Sequence, residues 1–172
     1  FAAREGFRVS GIDASETAIA YARQWFAREG LSGDLQVGDF TRLPFKEDQF
    51  HLVIDRAALS FSSIPGIRQA LKEIWRVLRP GGKLFFNPYS DRCSSFDGPA
   101  DADGCFRHVA RGTITPGAQI CFLGRERIDD LFSEGWRIES MVHDEQVYAH
   151  TTDQIVHAEW HIVAVKPLVA HE

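Results

Sequence analysis

The stretch Phe7-Arg8-Val9-Ser10-Gly11-Ile12-Asp13-Ala14-Ser15 combines a short apolar run with a carboxylate and a hydroxyl residue. A buried strand that ends on an acidic residue and leads into a helix is typical of α/β sheets, in which the carboxylate can accept hydrogen bonds from both hydroxyls of a ribose. Ser and Asp also cap helices routinely, so capping alone is the alternative explanation of Asp13 and Ser15.

Strand and helix patterns alternate after this stretch. We predict helices over residues 15–29 and 66–78, and strands over residues 7–12, 35–38, 50–55 and 83–87, with Pro80-Gly81-Gly82 as the helix break. Helices of this length between strands indicate parallel crossovers in an α/β sheet. The strands that precede Asp13, Asp39 and Asp55 should therefore bring three carboxylates to the same edge of one sheet.

The final third of the chain predicts one more helix and two strands. The helix should cover residues 124–134, and the strands residues 136–147 and 158–166. Because no crossover helix separates these strands, they should pair antiparallel. We interpret His157 and His161, in or near the last strand, as ordinary polar strand positions.

Composition narrows the possible partners. The 172 residues are 44% hydrophobic and carry a formal net charge of −5, which fits one globular domain and disfavours nucleic acid or an anionic membrane surface as partner. Three widely spaced cysteines suit a reducing compartment. We therefore expect a cytoplasmic domain that binds a small-molecule substrate; its oligomeric state is left open.

Four motifs occur in order: Gly11-Ile12-Asp13-Ala14-Ser15, Gly38-Asp39-Phe40, Phe50-His51-Leu52-Val53-Ile54-Asp55-Arg56 and Leu78-Arg79-Pro80-Gly81-Gly82-Lys83-Leu84. In this order and spacing they resemble the motifs of class I S-adenosylmethionine-dependent methyltransferases of the small-molecule type. The resemblance implies a Rossmann-like, doubly wound, mainly parallel sheet with an antiparallel C-terminal strand pair. It also implies S-adenosyl-L-methionine as cofactor.

The resemblance assigns roles to seven cofactor-binding residues: Asp13, Ala14, Ser15, Asp39, Phe40, Asp55 and Arg56. Asp13 would hold the ribose hydroxyls, with Ala14 and Ser15 beside the adenosine. Asp39 would accept from the adenine amino group and Phe40 would offer its backbone or ring. Asp55 and Arg56 would lie beside the methionine half.

One family element is missing from this sequence. The glycine-rich loop should precede the acidic residue by about 20 positions, but only twelve residues precede Asp13. Phe1 to Glu5 has the pattern of a helix end closed by Gly6. We therefore expect residues 1–172 to be a single methyltransferase-like domain that is incomplete at its amino terminus.

Residues 90–123 lack a periodic apolar pattern and are too long for an ordinary connection. We predict that they form an insertion that covers the substrate. A zinc site formed by Cys93, Cys105, His108 and Cys121 is the alternative, but these residues lack the close ligand pairing of common zinc sites. We expect no metal.

Methyl transfer to an O, N, S or C nucleophile by in-line displacement is the reaction that the resemblance implies. A general base is needed only for a protonated, weakly acidic acceptor, and the candidates are His143, Tyr89 and Asp91.

Two other functions remain open. An NAD(P)-dependent reductase would also use Asp13, but no tyrosine is followed four residues later by the lysine that short-chain reductases need. A methyltransferase-like subunit that binds without catalysing is the second alternative.

Overall fold

The computed structural model describes residues 1–96, 102, 109, 111–114, 117–150 and 154–168. The chain divides into two compact units, Phe1–Pro44 and Phe45–Glu172. The elements are β1 (Ser10–Asp13), α1 (Glu16–Arg28), β2 (Asp34–Val37), β3 (Phe50–Arg56), a 3-10 turn (Leu59–Phe61), α2 (Ile64–Val77), β4 (Leu78–Asn87), α3 (Arg125–Leu131), β5 (Arg137–Tyr148) and β6 (Ile155–Val165). This alternation confirms the predicted α/β class.

The first seven residues have the hydrogen bonds of a helix C-terminus. Phe7 N–H donates to the Ala2 carbonyl and Gly6 N–H to the Ala3 carbonyl, both at 3.1 Å. Gly6 has φ of +82°, the left-handed conformation that glycine adopts most easily at this position. This hydrogen-bonded turn and its closure by Gly6 agree with the pattern predicted for residues 1–6.

In the first unit, α1 follows β1 and leads to β2, which pairs parallel with β1. Ser15 is the N-cap of α1, and its hydroxyl accepts from the Ala18 N–H at 3.2 Å. Of the predicted apolar stripe of α1, Ile19 is buried while Trp25 remains 44% exposed. Two strands of four residues each offer little surface to this helix, so the predicted inward face is only partly covered within the unit.

The second unit contains a four-stranded sheet with the order β3-β4-β6-β5. β3 and β4 are parallel, and β6 runs antiparallel to both of its neighbours. The predicted antiparallel C-terminal pair is thus confirmed. The buried core of this unit includes Ile67, Leu71 and Ile74 of α2, Ile128 and Leu131 of α3, Leu84 and Phe86 of β4, and Ile162 and Ala164 of β6. Each of the isoleucine, leucine and phenylalanine side chains contributes about 1.5–3 kcal/mol when fully buried.

Some predicted boundaries were wrong. The helix predicted from residue 66 begins at Ile64, since the Ser63 hydroxyl accepts from the Gly66 N–H and caps it there. Residues 80–82 do not separate that helix from the next strand, because β4 begins at Leu78, directly after α2. They form an irregularity within β4, where Phe50 pairs with Leu78 but Leu52 already pairs with Lys83. α3 ends at Leu131 and not at residue 134.

The described strands form two sheets, whereas the sequence predicted one. Among them, β1 pairs with β2 alone and β3 pairs with β4 and no other strand. The predicted common edge is thus observed within the first unit, for Asp13 and Asp39, and Asp55 belongs to the other sheet.

Described residues of the segment 90–123 pack into a hydrophobic core that they share with β6. Cys93, Val109, Ile114, Ile120 and Phe122 are buried together with Ala158 of β6. This core could not be predicted from the sequence, because the apolar residues that form it are spaced irregularly. Among the described helices, none has the length and apolar run needed to cross a bilayer.

Candidate functional site

Asp13 ends β1 with an exposed carboxylate. Its Oδ1 atom accepts from the Ser15 N–H at 2.8 Å, and Ser15 in turn caps α1. Asp13 and Ser15 therefore do stabilise the start of the helix, as the capping explanation required. This role engages one carboxylate oxygen in a backbone hydrogen bond and leaves the group facing solvent, so capping and ribose recognition are compatible.

Asp39 lies at the same edge of the β1-β2 sheet. Asp13 pairs with Val37, and the ladder continues where the Gly38 N–H donates to the Asp13 carbonyl at 3.0 Å. Asp39 Oδ1 accepts from the Thr41 N–H at 2.7 Å and from the Thr41 hydroxyl at 2.8 Å. These two hydrogen bonds hold the pKa of the Asp39 carboxyl below its usual value. The first unit thus presents two exposed aspartate side chains, accompanied by Ala14 and the half-buried Phe40.

Asp55 differs from both, because it is 6% exposed at the end of β3. Its Oδ1 atom accepts from the Leu59 N–H at 3.1 Å, while its Oδ2 atom is buried and has no hydrogen-bond partner among the described residues. Burial raises the pKa of Asp55 to about 6, against the opposing effect of hydrogen bonds from Leu59 and Ala58. Ala57, two residues after Asp55, has φ of +60°, which is strained for a residue with a side chain.

Arg56 follows Asp55 and is exposed on the opposite face of the sheet. It pairs with Asn87 of β4, and the next residue, Ala57, donates its N–H to the Asn87 carbonyl at 3.0 Å. This links the carboxyl ends of β3 and β4.

The predicted general bases fall on two faces of the sheet. His143 of β5 packs against the Trp160 ring at 4.2 Å, and its Nε2 atom lies 2.7 Å from the hydroxyl of the fully buried Ser90. Ser90 also donates to Asp91 Oδ1 at 3.4 Å, so His143 and Asp91 are joined through it. Asp91 lines an open depression together with Phe122 and the first residues of α3.

Tyr89 lies on the other face, where its backbone bridges to Glu159. Its ring contacts His157 edge-on at 5.8 Å. Burial, together with the nearby Glu159 carboxylate, raises the pKa of the Tyr89 hydroxyl. The phenol therefore stays protonated at neutral pH, which makes it a better hydrogen-bond donor than base.

A polar cluster on the face of Tyr89 was missed by the sequence analysis. It comprises Asp144, His157, Glu159 and His161, and we name it the β5-β6 cluster. Glu159 Oε1 lies 2.7 Å from His161 Nε2, and Glu159 Oε2 lies 3.6 Å from His157 Nε2. The alternation in His157-Ala158-Glu159-Trp160-His161 could have shown that His157, Glu159 and His161 share one face of a strand. That Asp144 lies opposite Glu159 could be known only from the register of β5 against β6.

Partial burial opposes ionisation of Glu159. Hydrogen bonds from His161 and Asn87, together with the charges of the two histidines, outweigh this effect and hold the pKa of Glu159 below its usual value. Glu159 is therefore a carboxylate at neutral pH.

The zinc alternative concerned Cys93, Cys105, His108 and Cys121. Cys105 and His108 lie outside the described residues. Cys93 and Cys121 are buried cysteines, and within the described part of the chain neither belongs to a group of potential metal ligands.

The chain has the Rossmann-like fold of class I methyltransferases. It matches a solved SAM-dependent methyltransferase from Methanosarcina mazei with a TM-score of 0.77 at 21% identity, covering 96% of this chain and 85% of the other. It also matches the [4+2]-cyclase SpnF with a TM-score of 0.67 at 19% identity, covering 96% and 68%.

Sequence comparison agrees with the fold. Residues 1–82 match the family model described as a methyltransferase domain. The demethylmenaquinone methyltransferase of Deinococcus radiodurans is 32% identical over 103 residues, which cover 60% of this chain and 38% of that protein. The matched segments span about a third of the length of the first curated relatives. The resemblance to class I S-adenosylmethionine-dependent methyltransferases is therefore confirmed.

Proposed function

We propose that this protein transfers a methyl group from S-adenosyl-L-methionine to a small-molecule O, N, S or C nucleophile. The observation that carries the proposal is the pair of exposed carboxylates, Asp13 and Asp39, at the carboxyl edge of two adjacent parallel strands. Ligands of α/β sheets bind at this edge. The family match over residues 1–82 includes both carboxylates.

The chemistry of these two carboxylates fits an adenosine. An ionised carboxylate only accepts hydrogen bonds, which suits the two ribose hydroxyls at Asp13 and an exocyclic amino group at Asp39. Ala14 and Ser15 follow Asp13 directly, and Phe40 follows Asp39 with an apolar ring. By the family resemblance we assign Asp55 and Arg56 to the methionine half.

When bound, S-adenosylmethionine supplies an electrophilic methyl group on a sulfonium. The protein's own contribution is then orientation of the acceptor, which can lower a barrier by up to about 7–11 kcal/mol. Where the acceptor is weakly acidic, His143 or Asp91 would take its proton. The raised pKa of Tyr89 favours a role as hydrogen-bond donor to the acceptor.

The negative net charge supports a small molecule, and neither nucleic acid nor a membrane, as the substrate partner. A cytosolic location accords with the three cysteines and their wide spacing. The name of the Deinococcus radiodurans relative makes a demethylated quinone a reasonable first acceptor to assay.

Calorimetric titration with S-adenosylhomocysteine, S-adenosylmethionine and NAD tests which cofactor the protein binds. We expect saturable binding of the first two and none of NAD. Preferential binding of NAD would identify a reductase instead. S-adenosylhomocysteine release upon adding an acceptor would demonstrate catalysis, whereas cofactor binding without turnover over a broad acceptor panel would indicate a binding subunit.

A further inference from the structure

The β5-β6 cluster contains two carboxylates that face each other directly. Asp144 of β5 and Glu159 of β6 are register partners on one face of the antiparallel pair. Like charges in directly opposed positions destabilise a sheet, so the arrangement calls for a positive group between them. Glu159 has His161 at 2.7 Å. Asp144 has only the Gln146 side-chain amide at 3.3 Å as a hydrogen-bond partner among the described residues.

One ligand atom each of Asp144, Glu159 and His161 lies within 4.8 Å of the other two. Ligand atoms around a single transition-metal ion sit about 2.0–2.2 Å from it, so modest rotation of these side chains closes them around one ion. All three side chains are partly exposed, which leaves a route of entry and coordination positions for water or substrate. We propose that Asp144, Glu159 and His161 bind a divalent transition-metal ion.

Supporting contacts lie behind the ligands, as they do in established metal sites. The second oxygen of Glu159 faces His157 Nε2, and His157 Nδ1 lies 2.6 Å from the Thr113 hydroxyl. Gln146 donates to Asp144. These contacts restrict the rotation of both carboxylates, and the paired strands fix the spacing of their backbones.

The donor set selects the kind of ion. One imidazole and two carboxylates suit Zn²⁺, Co²⁺ or Mn²⁺, whereas Mg²⁺ and Ca²⁺ favour all-oxygen sites. The sequence favoured ordinary strand positions for His157 and His161. Only the opposition of Asp144 and Glu159 across the strands brings three donors of suitable type together.

Titration of the metal-free protein with Zn²⁺ by calorimetry tests the proposal, and Co²⁺ absorption spectra report the ligands. We expect one Zn²⁺ per chain, with affinity at least about tenfold weaker in Asp144→Asn and in His161→Gln. His150→Gln, which changes an exposed histidine outside the cluster, should bind as the unchanged protein does.

Circular dichroism establishes whether each variant is folded. If Asp144→Asn does not fold, His161→Gln and the Co²⁺ spectrum of the unchanged protein decide the question, since an imidazole ligand alters that spectrum. Unchanged Zn²⁺ affinity in His161→Gln, equal loss in His150→Gln, or tighter binding of Mg²⁺ than of Zn²⁺ would overturn the proposal. None of these outcomes depends on methyl transfer.

Discussion

Tyr89 and His143 lie on opposite faces of the four-stranded sheet, Tyr89 beside Glu159 and His143 against Trp160. Glu159 and Trp160 are consecutive in β6, and consecutive strand residues point to opposite faces. The two residues therefore have different neighbours along β6. His143 shares its face with Ser90 and is linked through it to Asp91, while Tyr89 shares its face with the β5-β6 cluster.

Replacing His143 should reduce stability. In His143→Ala the hydroxyl of the fully buried Ser90 loses its partner at 2.7 Å, and Trp160 loses a packed ring. Because the Ser90 hydroxyl keeps the Arg92 N–H at 3.1 Å and Asp91 Oδ1 at 3.4 Å as partners, we expect the free energy of unfolding to fall by about 0.5–1.5 kcal/mol, the usual net contribution of one hydrogen bond. Urea denaturation measures this, with the exposed His150→Ala as control. Equal stability of both variants would contradict the structural role of His143.

Asp55→Asn should stabilise the protein at neutral pH. The pKa of Asp55 rises to about 6 on folding, from 3.8, mainly because burial disfavours the carboxylate. A carboxyl group whose pKa is higher in the folded state stabilises that state fully below about pH 4. This stabilisation is lost as the pH rises through about 6.

The asparagine variant lacks this titration. Above pH 6 its free energy of unfolding should therefore exceed that of the unchanged protein by up to about 3 kcal/mol, since one pKa unit corresponds to about 1.4 kcal/mol. This difference should diminish towards pH 4. Urea unfolding at several pH values between 4 and 7 measures the difference. Parallel pH profiles for the two proteins would show that Asp55 does not titrate as the structure implies.

Asp13→Asn should weaken cofactor binding while α1 keeps its cap. The asparagine carbonyl can still accept from the Ser15 N–H, as Asp13 Oδ1 does at 2.8 Å. Loss of the charge should cost about 1.5–3 kcal/mol of binding free energy, the usual contribution of a hydrogen bond to a charged group.

Calorimetry with S-adenosylhomocysteine provides the measurement. Asp34→Asn is the matched control, because Asp34 is an exposed aspartate at the amino end of β2. Undiminished affinity in Asp13→Asn would refute the assignment of Asp13 to the ribose. An equal loss of affinity in both variants would show that only the overall charge of the protein matters.

Ile120→Ala should destabilise the second unit by about 2–5 kcal/mol, as expected for large-to-small changes in a core. Ile120 is fully buried with Phe122 and Ala158. Leu168→Ala is the control, because Leu168 is 75% exposed. Thermal denaturation compares the two.

The same core bears on the predicted role of residues 90–123. Deleting the segment would remove buried residues along with any cover over the substrate, so point substitutions test that role more cleanly than a deletion. If Ile120→Ala proves as stable as Leu168→Ala, the segment contributes little to the core and the deletion becomes informative.

Local features of this protein were determined by the sequence alone. Ser15 and Gly30 delimit α1, and Gly6 closes the preceding turn, because capping and left-handed conformations depend on the residue itself and its immediate neighbours. Asp13, Asp39 and the antiparallel pairing of β5 with β6 were predictable for the same reason: strand ends and short connections are visible in the chain order.

The tertiary structure alone decided the environments of the side chains. Asp55, like Asp13, follows a short apolar run, yet Asp55 is buried and this burial raises its pKa. Asp144 and Glu159 lie fifteen positions apart, and only the register of β5 against β6 places them opposite each other. Burial and cross-strand pairing depend on which distant segments meet, so the periodicity of a single segment carries no information about them.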